Sequence, residues 1–498
     1  MQLKPLAMLM AAALATQAGL ASANMFIGPT TNVVPYVTPT APLIQVTSLI
    51  TVNDKPAENG YKMVGIPDGL GAWDNGDGTF TVLMNHELAA NSGITRAHGS
   101  KGAFVSQWVI DKATLRVMSG RDMIQSPNDV FTWNSSIGQW QQGSTAFGRL
   151  CSADLPPLSA FYNSTSGKGY NGLIYMNGEE IGSEGRAFGW VATGAGAGKV
   201  YELPYLGKFS WENSVANPWS GDKTIVVGLD DSSPGQVYVY IGNKQTTGNP
   251  VEMAGLHNGN LYGVKTGVAV EGATAINGSF TLTQVNWNQT GAGLQLQSQS
   301  LGITEFGRPE DGHWYDQDTF YFVTTGRTGV PSSLYRLDFN ADFSGGVITM
   351  VKRAGDLIGT DGLPGRAFDN MVVSDGWILI QEDPGNNNYI AKTWRYDMAK
   401  DEWTQILESN RDFFLTGASK FLTQDEESSG IIEITDILAR NDGRRYFLAD
   451  MQAHYAIPGE LVEGGQLYLI TAVPEPETYA LMLAGLGLVG FMARRRKA

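Results

Sequence analysis

The chain has 498 residues, with Asp+Glu 49 against Lys+Arg 34, a formal net charge of −15, 61 Gly, five His and a single Cys. That acidity argues against nucleic acid as a partner, one cysteine excludes an internal disulfide framework, and five scattered histidines argue against a histidine-rich zinc site. Abundant carboxylates suit hard cations such as calcium, and many Asn-Gly and Asp-Gly pairs call for tight turns in an all-β body.

Residues 1–23, MQLKPLAMLMAAALATQAGLASA, place a lysine before an apolar run and end on Ala21-Ser22-Ala23. This predicts a secretory signal peptide cut after Ala23. The run is short for a membrane anchor, and no twin-arginine pair precedes it. Residues 24–472 are the expected folded body, large enough for a substantial core or two domains.

Within that body one unit recurs. DGLGAWDNGDGTFTVLMNHE (68–87) opens on an acid, turns at Gly and Asp, and runs through a β-rich strand into another acid; QWVID supplies a third strand. The acids of DNGDG do not fall where an EF-hand loop needs them, so that stretch is predicted as a hairpin turn. NGLIYMNGEE (171–180) with KVYELP is a shorter copy. ENSVANPWSGDKTIVVGLDDS (212–232) with QVYVYIG, EDGHWYDQDTFYFVTTG (310–326) with SLYRLDF, and DNMVVSDGWILIQEDPG (369–385) with TWRYDM are fuller ones. ESSGIIEITDILARNDGRRYFLADMQAH (427–454) with QLYLI is the longest. Six strand-turn-strand-loop-strand units predict an all-β fold, a β-propeller of about six blades with long inter-strand loops. A β-sandwich with hairpin insertions is the alternative.

Residues 473–498 differ in kind. A Pro-Glu-Pro signature precedes an apolar run from Tyr479 to Ala493 and the cluster Arg494, Arg495, Arg496, Lys497. Physically this is a short membrane segment held by cytoplasmic basic residues. It closely resembles the PEP-CTERM sorting tail of Gram-negative bacteria. The resemblance implies transient anchoring in the inner membrane, a sorting and processing machinery as partner, and delivery to the cell surface, outer membrane or extracellular matrix.

Antiparallel pairing puts the start of the first strand and the end of the second at one end of a blade. Asp68, Glu212, Glu310 and Asp369 open units. Glu87, the pair Glu179 and Glu180, Asp230 with Asp231, and Glu382 with Asp383 close them. In a propeller all would converge on one mouth of the central channel, where their mutual repulsion calls for calcium or a harder transition metal such as ferric iron. For each acid alone, the competing reading is a turn cap or a solvated strand end. In EFGRPEDG, Pro309 is expected to hold Arg308 extended, so that Arg308 and Glu310 face the same way. Glu310 would then bind metal while the Arg308 fork takes two phosphate oxygens. A structural Arg–Glu ion pair is the other reading.

Together, IPDGLGAWDNGDGTFTVLMNHEL, SKGAFVSQWVIDKATLRV, NGEE, KTIVVGLDDSSPGQVYVYIG and EFGRPEDG resemble the PhoX-type alkaline phosphatase family over most of residues 60–400. Its members are six-bladed propellers that use iron and calcium ions to cleave phosphate from organic monoesters. The resemblance implies a metal-ligand role for Glu310 and a phosphate-binding role for Arg308. Glu179 and Glu180 look like the paired acids of the family's Cys-Glu-Glu motif, but Gly178 stands where a metal-bridging cysteine is expected. Cys151 looks like a second, non-bridging family cysteine. Calcium is therefore the expected cofactor, with iron weakened by Gly178. The expected function is an exported phosphatase acting on phosphate monoesters. A non-catalytic, calcium-stabilised surface propeller binding matrix polysaccharide or protein is the alternative, and a phytase-like propeller hydrolase the third.

Overall fold

The computed structural model describes residues 24–473; the predicted signal peptide and nearly all of the sorting tail lie outside them. Glu402–Ser409 and the other strands recur so regularly because apolar runs such as TIVVGL, TFYFV and WILI bury both faces of the second strand in each unit. Such a strand is stable only when sandwiched between neighbours on either side. Six four-stranded antiparallel blades meet this demand by packing face to face around an axis.

The innermost strands are Pro67–Asp74, Leu150–Asp154, Trp211–Ala216, Pro309–Trp314, Phe368–Ser374 and Glu426–Glu433. Each contacts the next, and the sixth contacts the first, closing a ring. Six apolar clusters fill the gaps between consecutive blades, from Leu83, Phe147 and Trp190 between blades one and two to Leu49, Val82 and Leu469 between six and one. Blades three and four also join at their outer edges, where Gly278–Val285 pairs with Gly345–Arg353, giving one nine-stranded sheet.

The second blade departs from the sequence expectation. Its inner strand is Leu150–Asp154, which starts 21 residues ahead of the copy read at 171–180; that copy supplies the second strand. Helix Gly291–Leu301, capped by Thr290, is an insertion outside the repeat. The DNGDG stretch is the turn between Pro67–Asp74 and Thr79–His86, with Gly76 and Gly78 at φ 75° and 91°. The N-terminal strand Ile44–Thr51 pairs antiparallel with the C-terminal strand Val462–Ala472, so the sixth blade is built from both ends of the described chain. Among the described residues no helix is long and apolar enough to cross a membrane; the predicted segment Tyr479 to Ala493 lies outside them.

Candidate metal centre

Every inner strand opens the same way. Its second residue is Asp68, Cys151, Glu212, Glu310, Asp369 or Glu427. In all six blades the inner strand then carries one extra residue relative to its partner, a bulge at that level. A bulge re-aims side chains locally, and its sixfold repetition gathers five carboxylates and one thiol at one end of the channel. The matching residue of each second strand, immediately after its last pairing with the inner strand, is Glu87, Glu180, Asp231, Thr325, Asp383 or His454. Nine carboxylates therefore share one rim with two guanidiniums, those of Arg149 and Arg308, and one imidazole.

Three groups of donor atoms lie within 4.8 Å of one another: Asp68, Glu87 and Cys151; Cys151, Glu180 and Glu212; and Glu212, Glu310 and Asp369. Cys151 and Glu212 each belong to two groups, so the three form a continuous arc. Cys151 Sγ approaches Asp68 Oδ2 at 3.6 Å. Gln452 Nε2 donates to Asp68 Oδ2 and Glu87 Oε2, both at 2.8 Å. Ser152 Oγ donates to Glu212 Oε1 at 2.6 Å.

Crowding without enough positive charge shifts these groups upward. Burial first, then neighbouring acids, holds Asp68, Glu180, Glu310 and Asp369 well above the usual carboxylate range. Glu212 is pushed up to about 8 by burial and by Asp231, and Glu427 to about 7 by burial and by Asp383. The Cys151 thiol is raised by burial and by Asp68. His454, although burial opposes it, is raised to about 11 by its hydrogen bonds to Glu427 and Glu463.

Arg308 differs from expectation in its backbone but not in its neighbour. Its φ is +59°, left-handed rather than extended. Ile66 and Ala367 hold φ of 52° and 49° at the same position ahead of blades one and five, so the strain belongs to the repeated entry into the rim. Arg308 Nη2 still lies 3.2 Å from Glu310 Oε1. Its Nε and Nη2, however, hold both oxygens of Asp231 at 2.7 and 2.9 Å. The two-nitrogen edge expected for phosphate is occupied by a carboxylate of the preceding blade, and Nη1 has no hydrogen-bond partner among the described residues. Arg149 is held in a similar way two blades earlier: its Nη2 bridges Glu87 Oε1 at 2.5 Å and Glu180 Oε2 at 2.6 Å.

Of the sequence-predicted ligands, Glu87, Glu180, Glu212, Asp231, Glu310 and Asp383 reach this rim. Glu179 and Glu382 sit one residue back and are engaged inside their own blades. Glu179 takes Arg186 Nε and Nη2, both at 2.6 Å. Glu382 accepts from Trp394 Nε1 at 2.8 Å, Tyr389 OH at 2.9 Å and two backbone amides. Position 178 also points elsewhere: a Cβ there would lie 2.3 Å from the Trp211 Cβ. The glycine therefore removes no thiol from the rim, and the cysteine that does face it is Cys151. Arg149, Cys151, Glu427 and His454 were missed as rim residues; Cys151 and Glu427 are the second residues of their inner strands, Arg149 directly precedes one, and His454 follows the residue of the second strand that pairs with Glu426.

The donors fit bound cations. An all-oxygen group such as Glu212, Glu310 and Asp369 suits calcium or another hard ion, while a thiolate shared between two groups suits a transition metal better than calcium.

A family model described as the PEP-CTERM protein-sorting motif matches residues 472–497. No curated protein matches the chain in sequence. Among solved structures, the fold is shared with Pseudomonas fluorescens PhoX in complex with vanadate, a transition state analogue. That likeness has a TM-score of 0.62 at 12% identity and covers 89% of this chain and 97% of that one. A lectin from Burkholderia pseudomallei is far more distant, with a TM-score of 0.33 and 10% identity over 80% of this chain and 98% of that one. So is an α-L-arabinofuranosidase from Podospora anserina in complex with cellotriose, with a TM-score of 0.29 and 8% identity over 86% and 95%.

Proposed function

We propose that the protein is an exported, metal-dependent phosphatase of phosphate monoesters, carried to the cell surface or matrix of a Gram-negative bacterium through its sorting tail. The supporting observation is the arc from Asp68 through Cys151 and Glu212 to Asp369, buried at one mouth of a fold shared with PhoX. Asp68, Glu87, Cys151, Glu180, Glu212, Glu310 and Asp369 would hold the ions, with Asp383 and Glu427 closing the far side. Bound cations there would withdraw charge from a phosphoryl group and lower the pKa of a water molecule.

The chain's own contribution is positioning. Asp231 and Glu310 pin Arg308 from two sides, so its guanidinium costs no reorganisation when an anion arrives. Its outer Nη1 edge is the part offered to a phosphate oxygen. Arg149 is fixed by Glu87 and Glu180 in the same way. Burial of the arc beneath these two side chains keeps the reacting oxygen in a low-dielectric setting, where each charge counts for more.

The test is turnover of p-nitrophenyl phosphate by the purified chain after loading with calcium and iron, beside Glu310→Gln. Metal-dependent turnover that the variant lacks is expected. Equal turnover in the two proteins, or none in either after loading, would falsify the proposal. Preference for a polyphosphorylated ring over simple esters would move the reading to a phytase-like hydrolase.

A further inference from the structure

On the flank of blade two, outward from the rim, a cavity of about 300 Å³ opens between two indoles. Trp133 comes from the outer strand Val130–Asn134, and Trp287 from the loop before helix Gly291–Leu301. Neither ring is loose. Trp133 packs edge-on against Trp140 at 5.2 Å and His257 at 4.7 Å, and Trp287 stacks on Tyr205 at 3.8 Å. His257 in turn meets Trp140 and Tyr205 at 4.3 and 4.4 Å, tying five half-buried rings into one cluster.

The hydrogen-bonding state of the rings separates packing from binding. Trp140 Nε1, which does not line the cavity, donates to Glu202 O at 2.8 Å. Trp133 and Trp287 do line it, and their Nε1 atoms have no hydrogen-bond partner among the described residues. A Trp whose body is fixed and whose N–H is left open is suited to a ligand with one apolar face and a polar edge.

The charges around the cavity narrow the class further. Arg186 is committed to Glu179, at 2.6 Å through both Nε and Nη2, and Lys208 lies 3.4 Å from Glu184. Glu202, which also lines the cavity, lies 4.0 Å from Arg186 Nη1 and accepts the Trp133 backbone N–H at 3.0 Å, so the charges of the lining already face opposite partners and the site favours an uncharged ligand. What stays available is two indole N–H groups, the exposed Ser135 hydroxyl and the exposed Asn288 amide. A stiff aromatic face fringed by neutral donors and acceptors complements a sugar ring, which shows C–H groups on its face and hydroxyls at its edge.

We propose that this cavity binds a neutral pyranose unit of a polysaccharide, at a site separate from the metal centre. Its volume falls at the small end of ligand sites, about 300–1,000 Å³, which suits one or two sugar rings. The site would hold the protein on a glycan while the channel mouth stays open to small substrates.

The experiment titrates the full chain with cellohexaose, laminarihexaose and maltohexaose, following tryptophan fluorescence. At least one is expected to give a saturable change, weakened about tenfold or more by Trp287→Ala. Metal content should not change in that variant, while its melting temperature falls with loss of the stacking on Tyr205. Asn288→Ala removes only an exposed amide and is expected to weaken the same binding severalfold, which keeps the test informative if Trp287→Ala misfolds. No saturable response to any of the three sugars overturns the proposal. So does equal affinity in a folded Trp287→Ala, or a response confined to an acidic oligosaccharide or a peptide.

Discussion

Cys151 Sγ and Asp68 Oδ2 face each other at 3.6 Å across the boundary between blades one and two. The thiol stands where all five other blades carry, like Asp68, an acid at the same strand position, and it belongs to two of the three donor groups. Cys151→Ser keeps an oxygen donor but loses thiolate character. It should lower transition-metal content, abolish any visible thiolate-to-metal charge-transfer band, and reduce metal affinity by at least about 10- to 100-fold. Metal analysis and absorption spectra of the two loaded proteins check this; an unchanged band and stoichiometry would exclude the thiol as a ligand.

Adjacent glutamates should behave oppositely. Glu180 reaches the rim, whereas Glu179 is 1% exposed and tied to Arg186 within its blade. Glu180→Gln should change metal content with a small effect on the metal-free protein. Glu179→Gln should leave metal content intact and destabilise the fold, on the order of 3 kcal/mol, because it strands the Arg186 charge. Denaturant melts paired with metal analysis separate the two, and matching phenotypes would contradict the placement.

Arg308→Lys retains the charge but not the fork that spans both Asp231 oxygens. A point charge cannot make that pair of bonds. Turnover is expected to fall by about 10²-fold, with KM for the phosphate ester rising and metal content unchanged. Steady-state kinetics at several ester concentrations decide it.

The metal-free protein should lose stability as pH rises. Glu212, ordinarily 4.5, is pushed up to about 8, and Glu427 to about 7, in each case by burial first. A group whose folded pKa is raised contributes stability that is complete below its unfolded value and is lost as pH climbs through the folded one. Between pH 4.5 and 8 the chelated protein is therefore expected to weaken by about 2 kcal/mol or more. Saturating calcium should flatten the slope, since the ion takes the place of the protons. Urea melts across that range test the sign directly: constant or rising stability without metal would show the rim to be less crowded than it looks.

Gly178→Cys would restore the residue expected ahead of the paired acids. Its Cβ would collide with Trp211, so the variant should melt lower, by about 1–3 kcal/mol, and bind no additional metal. Gain of a metal equivalent would show that position 178 does reach the rim.

The repeat was legible because its second strands are unbroken apolar runs, such as TFTVLM and TIVVGL, ending in acids. What escaped follows from the period of a strand. Side chains alternate faces, so a shift of one residue moves a group from one side to the other. NGEE and QEDP each offer two acids, and pattern alone does not say that Glu180 and Asp383 face the channel while Glu179 and Glu382 do not. The second inner strand was hidden because it opens on Cys151 rather than an acid. The bulges were unreadable because one extra residue in a short strand leaves no compositional trace. The left-handed Arg308 ran against the ordinary preference before proline, which the surrounding rim overrides.

Ile44–Thr51 lies against Val462–Ala472 in the finished molecule, so a strand made near the start of synthesis must wait for one made near the end. Until they meet, the sixth blade lacks its outer side, although Glu426–Glu433 and Arg445–Ile457, which carry Glu427 and His454, already pair with each other. Completion of the sixth blade is thus a late event, tied to arrival of the last stretch of chain. The sorting motif begins at the end of that closing strand, so along the sequence the address label follows directly on the clasp that completes the sixth blade.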